Sequence, residues 1–450
     1  MRHRDFAVCG MVFVLVALLA SSARAAEAVQ TLSLSQSIET ALKQSVMLHA
    51  AREGARGAEE QRKEAFTGFL PKFSTSYSYS RLNEDPFFVF PGVAPLIPRG
   101  NIITGTKDNY NWTIEGRQPV FAGGGILANY EASRLGAQIA QLDESTAAMD
   151  LVLEVKVAYF NILRAQRILD VARQSVEQLQ AHRDTAQNFF DVGVIPRNDL
   201  LQAEVELANG RQFLTRSENA LEMAKSKFNT ILRRDIGAPV RIEDILEDRP
   251  LTLTLEMCSA AALENRPEIH SLLLKVNQAD SMVNVSKSEY YPSVNLVGNY
   301  ARYGDTPGVA GSPYKDQESW AVMAVANWNF WEWGKTGNRV AVGVSRKNQA
   351  DDALTHVRDQ IALEVKNAFL QANEAKTQLR VTQKSVEQAQ ENFRINSERY
   401  HEQVGTATEV IDAQTLVTKA MSDNSNALGD LNISLARLER AMGIGLQGGL

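Results

Sequence analysis

Two periodicities run along this chain, and each of them occurs twice. From Gly125 to Phe190 no proline interrupts the sequence, and the seven-residue series Val155, Ile162, Leu169, Val176, Arg183, Phe190 is apolar except at Arg183. A second series, Val365, Ala372, Leu379, Val386, Phe393, Tyr400, keeps the same phase. A seven-residue apolar period held over this length predicts coiled-coil packing. At ~1.5 Å per residue the first run predicts a helix on the order of 100 Å, longer than helices of compact domains.

The other periodicity is two. In 73–80, Phe73, Thr75, Tyr77 and Tyr79 alternate with serines; in 109–115, Tyr110, Trp112 and Ile114 alternate with Asn109, Asn111 and Thr113. Further on, Val294, Leu296 and Tyr300 oppose Ser293, Asn295 and Asn299, and Trp320, Val322, Trp328 and Phe330 oppose Asn327 and Asn329. One apolar face rich in Tyr and Trp, with one small polar face, suits a barrel wall between lipid and water better than a packed core. Strands are expected at about 72–82, 109–120, 293–303 and 318–331. Their lipid-facing aromatics are Tyr77, Tyr79, Tyr110, Trp112, Tyr300, Trp320, Trp328 and Phe330.

These features belong to an internal repeat. Thr31-Leu32-Ser33-Leu34, Pro71, Tyr79 and Arg81 recur 221 residues later as Thr252-Leu253-Thr254-Leu255, Pro292, Tyr300 and Arg302. Gly124, Glu154-Val155-Lys156 and Ser175-Val176-Glu177-Gln178 recur 210 residues later at Gly334, Glu364 and Ser385. The spacing changes between Leu82 and Asp108, where the first copy carries the longer loop. The copies are expected at 26–240 and 252–445, with 241–251 as linker. The loop at 83–108 is apolar and proline-punctuated (Phe87, Phe88, Val89, Phe90, Val93, Leu96, Ile97). It is expected to fold across a barrel mouth or to pack between protomers.

The compartment is set by the start of the chain. Arg2, His3 and Arg4 precede an apolar run from Ala7 to Ala20, and Ala23-Arg24-Ala25 offers a cleavage site. Residues 1–25 therefore read as a secretory signal peptide. Cys9 lies too early to carry a lipid after cleavage, so no lipid anchor is expected. Cleavage moves the formal charge from −6 to −8, which argues against a nucleic-acid partner. Only Cys258 remains, so no internal disulfide can form. No later segment has 18 consecutive apolar residues, so a membrane crossing must use strands. Four strands cannot close a barrel, and an open edge in lipid leaves backbone groups unpaired. Several protomers must share one barrel.

The duplicated helix–strand–strand–helix–helix plan resembles the TolC-like outer-membrane efflux family. So do two motifs, Phe190-Asp-Val-Gly193-Val-Ile-Pro-Arg-Asn-Asp199-Leu-Leu-Gln-Ala-Glu204 and Arg399-Tyr400-His-Glu-Gln-Val-Gly405-Thr-Ala-Thr-Glu409-Val-Ile-Asp412-Ala-Gln414. The resemblance spans about residues 30 to 445. It implies a mainly α fold with a membrane β-barrel: a homotrimer whose long helices form an α-barrel and whose strands form a shared twelve-stranded barrel. It implies the exit duct of a tripartite efflux or type I secretion system in the outer membrane, with a periplasmic adaptor and an inner-membrane pump as partners. Turns at about 191–198 and 401–408 would be the periplasmic tip, and loops at about 83–108 and 304–317 extracellular.

The resemblance also places roles on tip residues. Glu409 and Asp412 would ring the aperture; at i and i+3 they share a helix face, and they lie near a helix N-terminus, where a capping role is the alternative. Asn198, Asp199 and Tyr400 would form the gating network, although the arginine expected in the lock is replaced by Gly405. Val192, Gly193, Val194, Val404, Gly405 and Thr406 would face the adaptor; helix C-capping by the glycines is the competing reading.

No catalytic site, cofactor or metal site is expected. The histidines are scattered, with no HExxH, Walker loop or GxSxG. The alternative function is a soluble periplasmic coiled-coil scaffold or adaptor, which leaves the aromatic strand faces unexplained.

Overall fold

The computed structural model describes residues 31–445; the expected signal peptide lies outside them. The first copy comprises β1 (Thr31–Leu32), α1 (Leu34–Gln44), α2 (Val46–Phe66), β2 (Lys72–Arg81), β3 (Phe87–Phe90), β4 (Gly100–Ile103), β5 (Asp108–Ala122), α3 (Gly125–Asp191) and α4 (Arg197–Ile231). The linker carries β6 (Arg241–Ile242), and the second copy comprises α5 (Leu255–Asn265), α6 (Pro267–Ser288), β7 (Ser293–Gly304), β8 (Glu318–Asn327), α7 (Lys335–His401) and α8 (Ala407–Ala441). α3 and α7 are both 67 residues long, and α4 and α8 both 35. The capping follows the repeat too: Ser33 accepts from Gln36 N–H to start α1, and Thr254, its equivalent, accepts from Met257 N–H to start α5.

The chain divides into two compact units. One, residues 50–145 and 267–358, holds an antiparallel sheet in the order β2-β5-β7-β8. Its register aligns the aromatic positions. Tyr77 pairs with Trp112 and Tyr79 with Tyr110; Ile114 pairs with Tyr300, which pairs with Trp320. Directly paired residues share a face, so Phe73, Tyr77, Tyr79, Tyr110, Trp112, Ile114, Leu296, Tyr300, Trp320 and Val322 form one side.

Most polar atoms on those rings are satisfied within the sheet and its loops. Tyr77 donates to Pro307 O (2.8 Å), Tyr79 to Asp108 (2.8 Å), Tyr300 to Glu318 (2.8 Å), and Trp112 Nε1 to Thr75 Oγ1 (2.9 Å). A surface in hydrocarbon needs this, since no water is there to take the protons.

Three strand expectations are corrected. β8 ends at Asn327, opposite Ser293, the first residue of β7, so nothing remains for 328–331 to pair with. Trp328 and Phe330 therefore lie in the turn beyond the strand, where Trp328 Nε1 donates to Tyr290 O (3.1 Å). The 83–108 loop contains its own hairpin, β3 paired with β4, and leaves Phe88 and Leu96 largely exposed in the single chain. In the linker, β6 forms a parallel pair with β1.

In the same unit the helices stand side by side in the order α2, α3, α6, α7. Arg62 donates to Tyr130 (3.0 Å), Ser271 to Asp143 (3.0 Å) and Gln278 to Ala132 O (2.9 Å), and Lys347 pairs with Asp280 (2.7 Å).

The other unit, residues 31–49, 146–266 and 359–445, buries the first three positions of each heptad series: Val155, Ile162, Leu169 and Val365, Ala372, Leu379. Tyr159 sits at its centre against Phe228 and donates to Leu32 O and Glu243 O, tying the β1–β6 pair to α3. Burial pushes its phenol up to about 12. Lys156 and Glu439 form a buried ion pair at 2.5 Å.

Candidate gate at the helical turns

The turns joining α3 to α4 and α7 to α8 have the same backbone. In the first, Gly193 is left-handed (φ +76°), its N–H bonds Phe190 O (2.9 Å), and Val194 N–H bonds Phe189 O (2.9 Å). In the second, Gln403 is left-handed (φ +61°), its N–H bonds Tyr400 O (3.0 Å), and Val404 N–H bonds Arg399 O (2.9 Å). Both are Schellman closures. Gly193 therefore fills the C-cap position that its sequence suggests. Gly405 does not: the left-handed residue is Gln403. A Cβ at Gly405 would lie 3.2 Å from Arg399 Cβ and 3.3 Å from Glu409 Oε2, so glycine there permits a close approach.

The helices that follow begin differently. α8 opens with a capping box: Thr406 Oγ1 accepts from Glu409 N–H (3.3 Å), and Glu409 Oε2 accepts from Thr406 N–H (3.1 Å). α4 opens at Pro196 with no side-chain cap, and Asp199 stands at the position equivalent to Glu409. Glu409 is thus a capping residue in this chain. Its carboxylate shares the exposed face of α8 with Asp412, Thr415 and Leu416, while Val410, Ile411, Ala413 and Gln414 are buried.

Tyr400 is buried against Phe189 (ring centroids 5.5 Å) and His182 (5.1 Å), in a cluster with Ala407, Val410 and Phe393. Its hydroxyl makes no hydrogen bond. Burial, and secondarily the Asp199 charge, raises its pKa. The structure thus brings Asp199 near Tyr400 without a bond between them, and Asn198 is exposed.

His182 is the member that the sequence reading missed. Its Nε2 is buried without a partner, and burial, then nearby His401, holds its pKa below the usual value. The signal was a seven-residue pair, His182 and Phe189, one position ahead of the series followed above. Val192, Val194 and Val404 remain exposed at the turns.

The sequence signature of outer membrane efflux proteins matches residues 37–232 and 259–444. The chain belongs to the outer membrane efflux protein family. It is 20% identical over 390 residues to the outer membrane efflux protein BepC of Brucella suis, covering 87% of this chain and 80% of that protein. It is 23% identical over 430 residues to the alkaline protease secretion protein AprF of Pseudomonas aeruginosa, covering 92% and 85%. The CmeC outer membrane channel of Campylobacter jejuni shares the fold, with a TM-score of 0.78 at 18% identity, over 92% of this chain and 86% of that one. Within the family, the aromatic sheet face and the helical turns acquire a setting: an outer-membrane conduit, in which no described helix is long and apolar enough to cross the membrane.

Proposed function

We propose that the protein is the exit duct of a tripartite export system, a homotrimer opened at its helical turns by a periplasmic adaptor and supplied by an inner-membrane pump. The observation that carries this is the four-stranded sheet. It has an aromatic face most of whose ring polar atoms are satisfied internally, and two edge strands, β2 and β8, each with a single neighbour. Lipid forbids such edges, so further copies must pair with them, and three copies supply twelve strands around an aqueous lumen. The loops at 83–108 and 304–317 then face outward, and the 191–198 and 401–408 turns face the periplasm. A soluble scaffold would have no use for the aromatic face.

BepC is named for efflux and AprF for protease secretion; the conduit is what the two share. Exposed Val192, Val194 and Val404 beside Gly193, Gly405 and Thr406 form small apolar knobs suited to an adaptor hairpin. Glu409 and Asp412, on the exposed face of α8, supply six carboxylates per trimer at a narrow aperture, where a charged ring attracts cations. Tyr400 lies on the packed side of the same turns with Asp199 near it, while Asn198 is exposed. Tyr400 is held there by burial and ring contacts instead of a hydrogen-bonded lock.

Single-channel conductance of detergent-purified protein in a planar bilayer tests the reading. Small cation-selective currents are expected from wild type, with selectivity lost in Glu409→Ala/Asp412→Ala. Unchanged selectivity would leave Glu409 only its capping role. No insertion from a correctly assembled sample would sink the channel.

A further inference from the structure

One contact at the turns is built from polar atoms that bond nothing. Tyr400 is 4% exposed, and its hydroxyl has no hydrogen-bond partner. The imidazole of His182 lies 5.1 Å away, centroid to centroid, with Nε2 also buried and also without a partner. Phe189, Phe393, Ala407 and Val410 close the rest of the surroundings of Tyr400 with apolar surface. Water would satisfy both polar atoms, and the contact between α3 and α7 keeps it out.

The repeat contains a comparison for this pair. At an offset of 210 residues, Asn392 is the equivalent of His182, and Phe190 is the first-copy equivalent of Tyr400. Asn392 Oδ1 accepts from Asn396 Nδ2 (2.9 Å), and the Phe190 side chain has no polar atom to satisfy. The orphaned, titratable pair therefore belongs to this contact alone and not to the repeat.

The surrounding charges leave a proton on His182 without a counterion. From α7, His401 repels it, Arg399 folds back on Val404 O (3.4 Å), and Glu391 and Glu398 are both held by Arg394 (2.7 Å). From α4, Asp199 acts on Tyr400. The residues that α8 adds to the cluster, Ala407 and Val410, are uncharged, and on α3 itself Arg183 is taken by Asp184 (3.0 Å). Among the described residues only burial and His401 act on the imidazole, and both favour the neutral ring.

We infer that the His182–Tyr400 contact is a proton-operated latch: neutral His182 holds α3 against α7 at the turns, and its protonation parts the two helices, wets both orphaned groups and opens the conduit. Water solvates an imidazolium and the apolar cluster does not, which sets the direction. Opening then takes up one proton per copy. By linkage it rises at most about tenfold per pH unit for each copy, starting as pH falls through the ordinary value of 6.5 and levelling off below the lowered one. The latch rests on the gated conduit proposed above and adds a second trigger to adaptor engagement.

The test is the open probability of single channels in a planar bilayer between about pH 7.5 and about pH 5. Wild type is expected to open more as pH falls. His182→Phe, and His182→Asn, which copies the other repeat, are expected to insert as trimers whose opening is flat across this range. His401→Gln removes the repulsion and is expected to move the midpoint to higher pH. Tyr400→Phe, with one orphaned group fewer, is expected to open less at every pH and to keep the rise. A rise that persists in both His182 variants overturns the latch and leaves the channel standing. A rise lost in Glu409→Ala/Asp412→Ala and kept in the His182 variants gives the acid response to the aperture carboxylates instead. Correctly assembled protein with no current at any pH removes the conduit and the latch together.

Discussion

The turn after α3 places Gly193 in the left-handed region and opens the next helix at Pro196 without a side-chain cap; the turn after α7 places Gln403 there and opens its helix with the Thr406–Glu409 box. The two Schellman hydrogen bonds are the same, and the second turn adds one from Gly405 N–H to Arg399 O (3.1 Å). The comparison separates what a turn requires from what each sequence supplies: the first has the better C-cap residue, the second the better N-cap. The tripeptide Glu-Val-Lys divides similarly. In the first copy Lys156 is buried on Glu439; in the second Lys366 is exposed and Glu364 instead meets Arg266 at 2.8 Å. Identical residues at equivalent positions do different work because the helices beside them differ.

The strongest way to break this comparison is at the lysines. Lys156→Ala leaves the Glu439 carboxylate buried beside a cavity and is expected to cost about 3–5 kcal/mol, while Lys366→Ala stays within about 0.5 kcal/mol. Thermal melts of the two variants in detergent compare them directly; equal shifts would contradict the asymmetry. Next come the left-handed residues. Gly193→Gln is expected to destabilise by about 1–2 kcal/mol, and Gln403→Gly to stabilise by about 1 kcal/mol, both read from denaturant midpoints. Thr406→Ala should cost about 1 kcal/mol and speed hydrogen exchange in the first turn of α8; Pro196→Ala should leave the first turn of α4 unchanged by the same readout.

The smallest effect is in acid. Neutral His182 is favoured by its burial, so its contribution is complete above the ordinary value of 6.5 and is lost as pH falls through the lowered one. The unfolded chain takes up the proton first, so stability falls with pH in that window. Between about pH 7.5 and about 5.5 the melting temperature of wild type should drop more than that of His182→Leu. Parallel curves would remove His182 from the acid response.

Most of the fold was legible in the residues. The seven-residue series marked the coiled coils, alternation marked the strands and their aromatic face, and the two offsets marked the repeat. The first two signals are local periodicities, and such periodicity follows directly from backbone geometry. The end of β8 was not legible, because the sequence goes on alternating through Trp328 and Phe330 after the partner strand has run out. At the turns, Glu409 was recognisable as either a cap or an aperture group, and the Thr406 hydrogen bonds established the cap. His182 was hidden, since its burial depends on which neighbouring helix faces it.

By itself, then, the sequence determined the elements, their duplication and the membrane-suited face, because each follows from spacing along one chain. Tertiary structure alone decided which of two identical lysines is buried, which residue takes the left-handed turn, and how Tyr400 is held without a hydrogen bond. Those outcomes depend on what packs against a residue from elsewhere in the chain, and desolvation and close contact act only once that neighbour is in place.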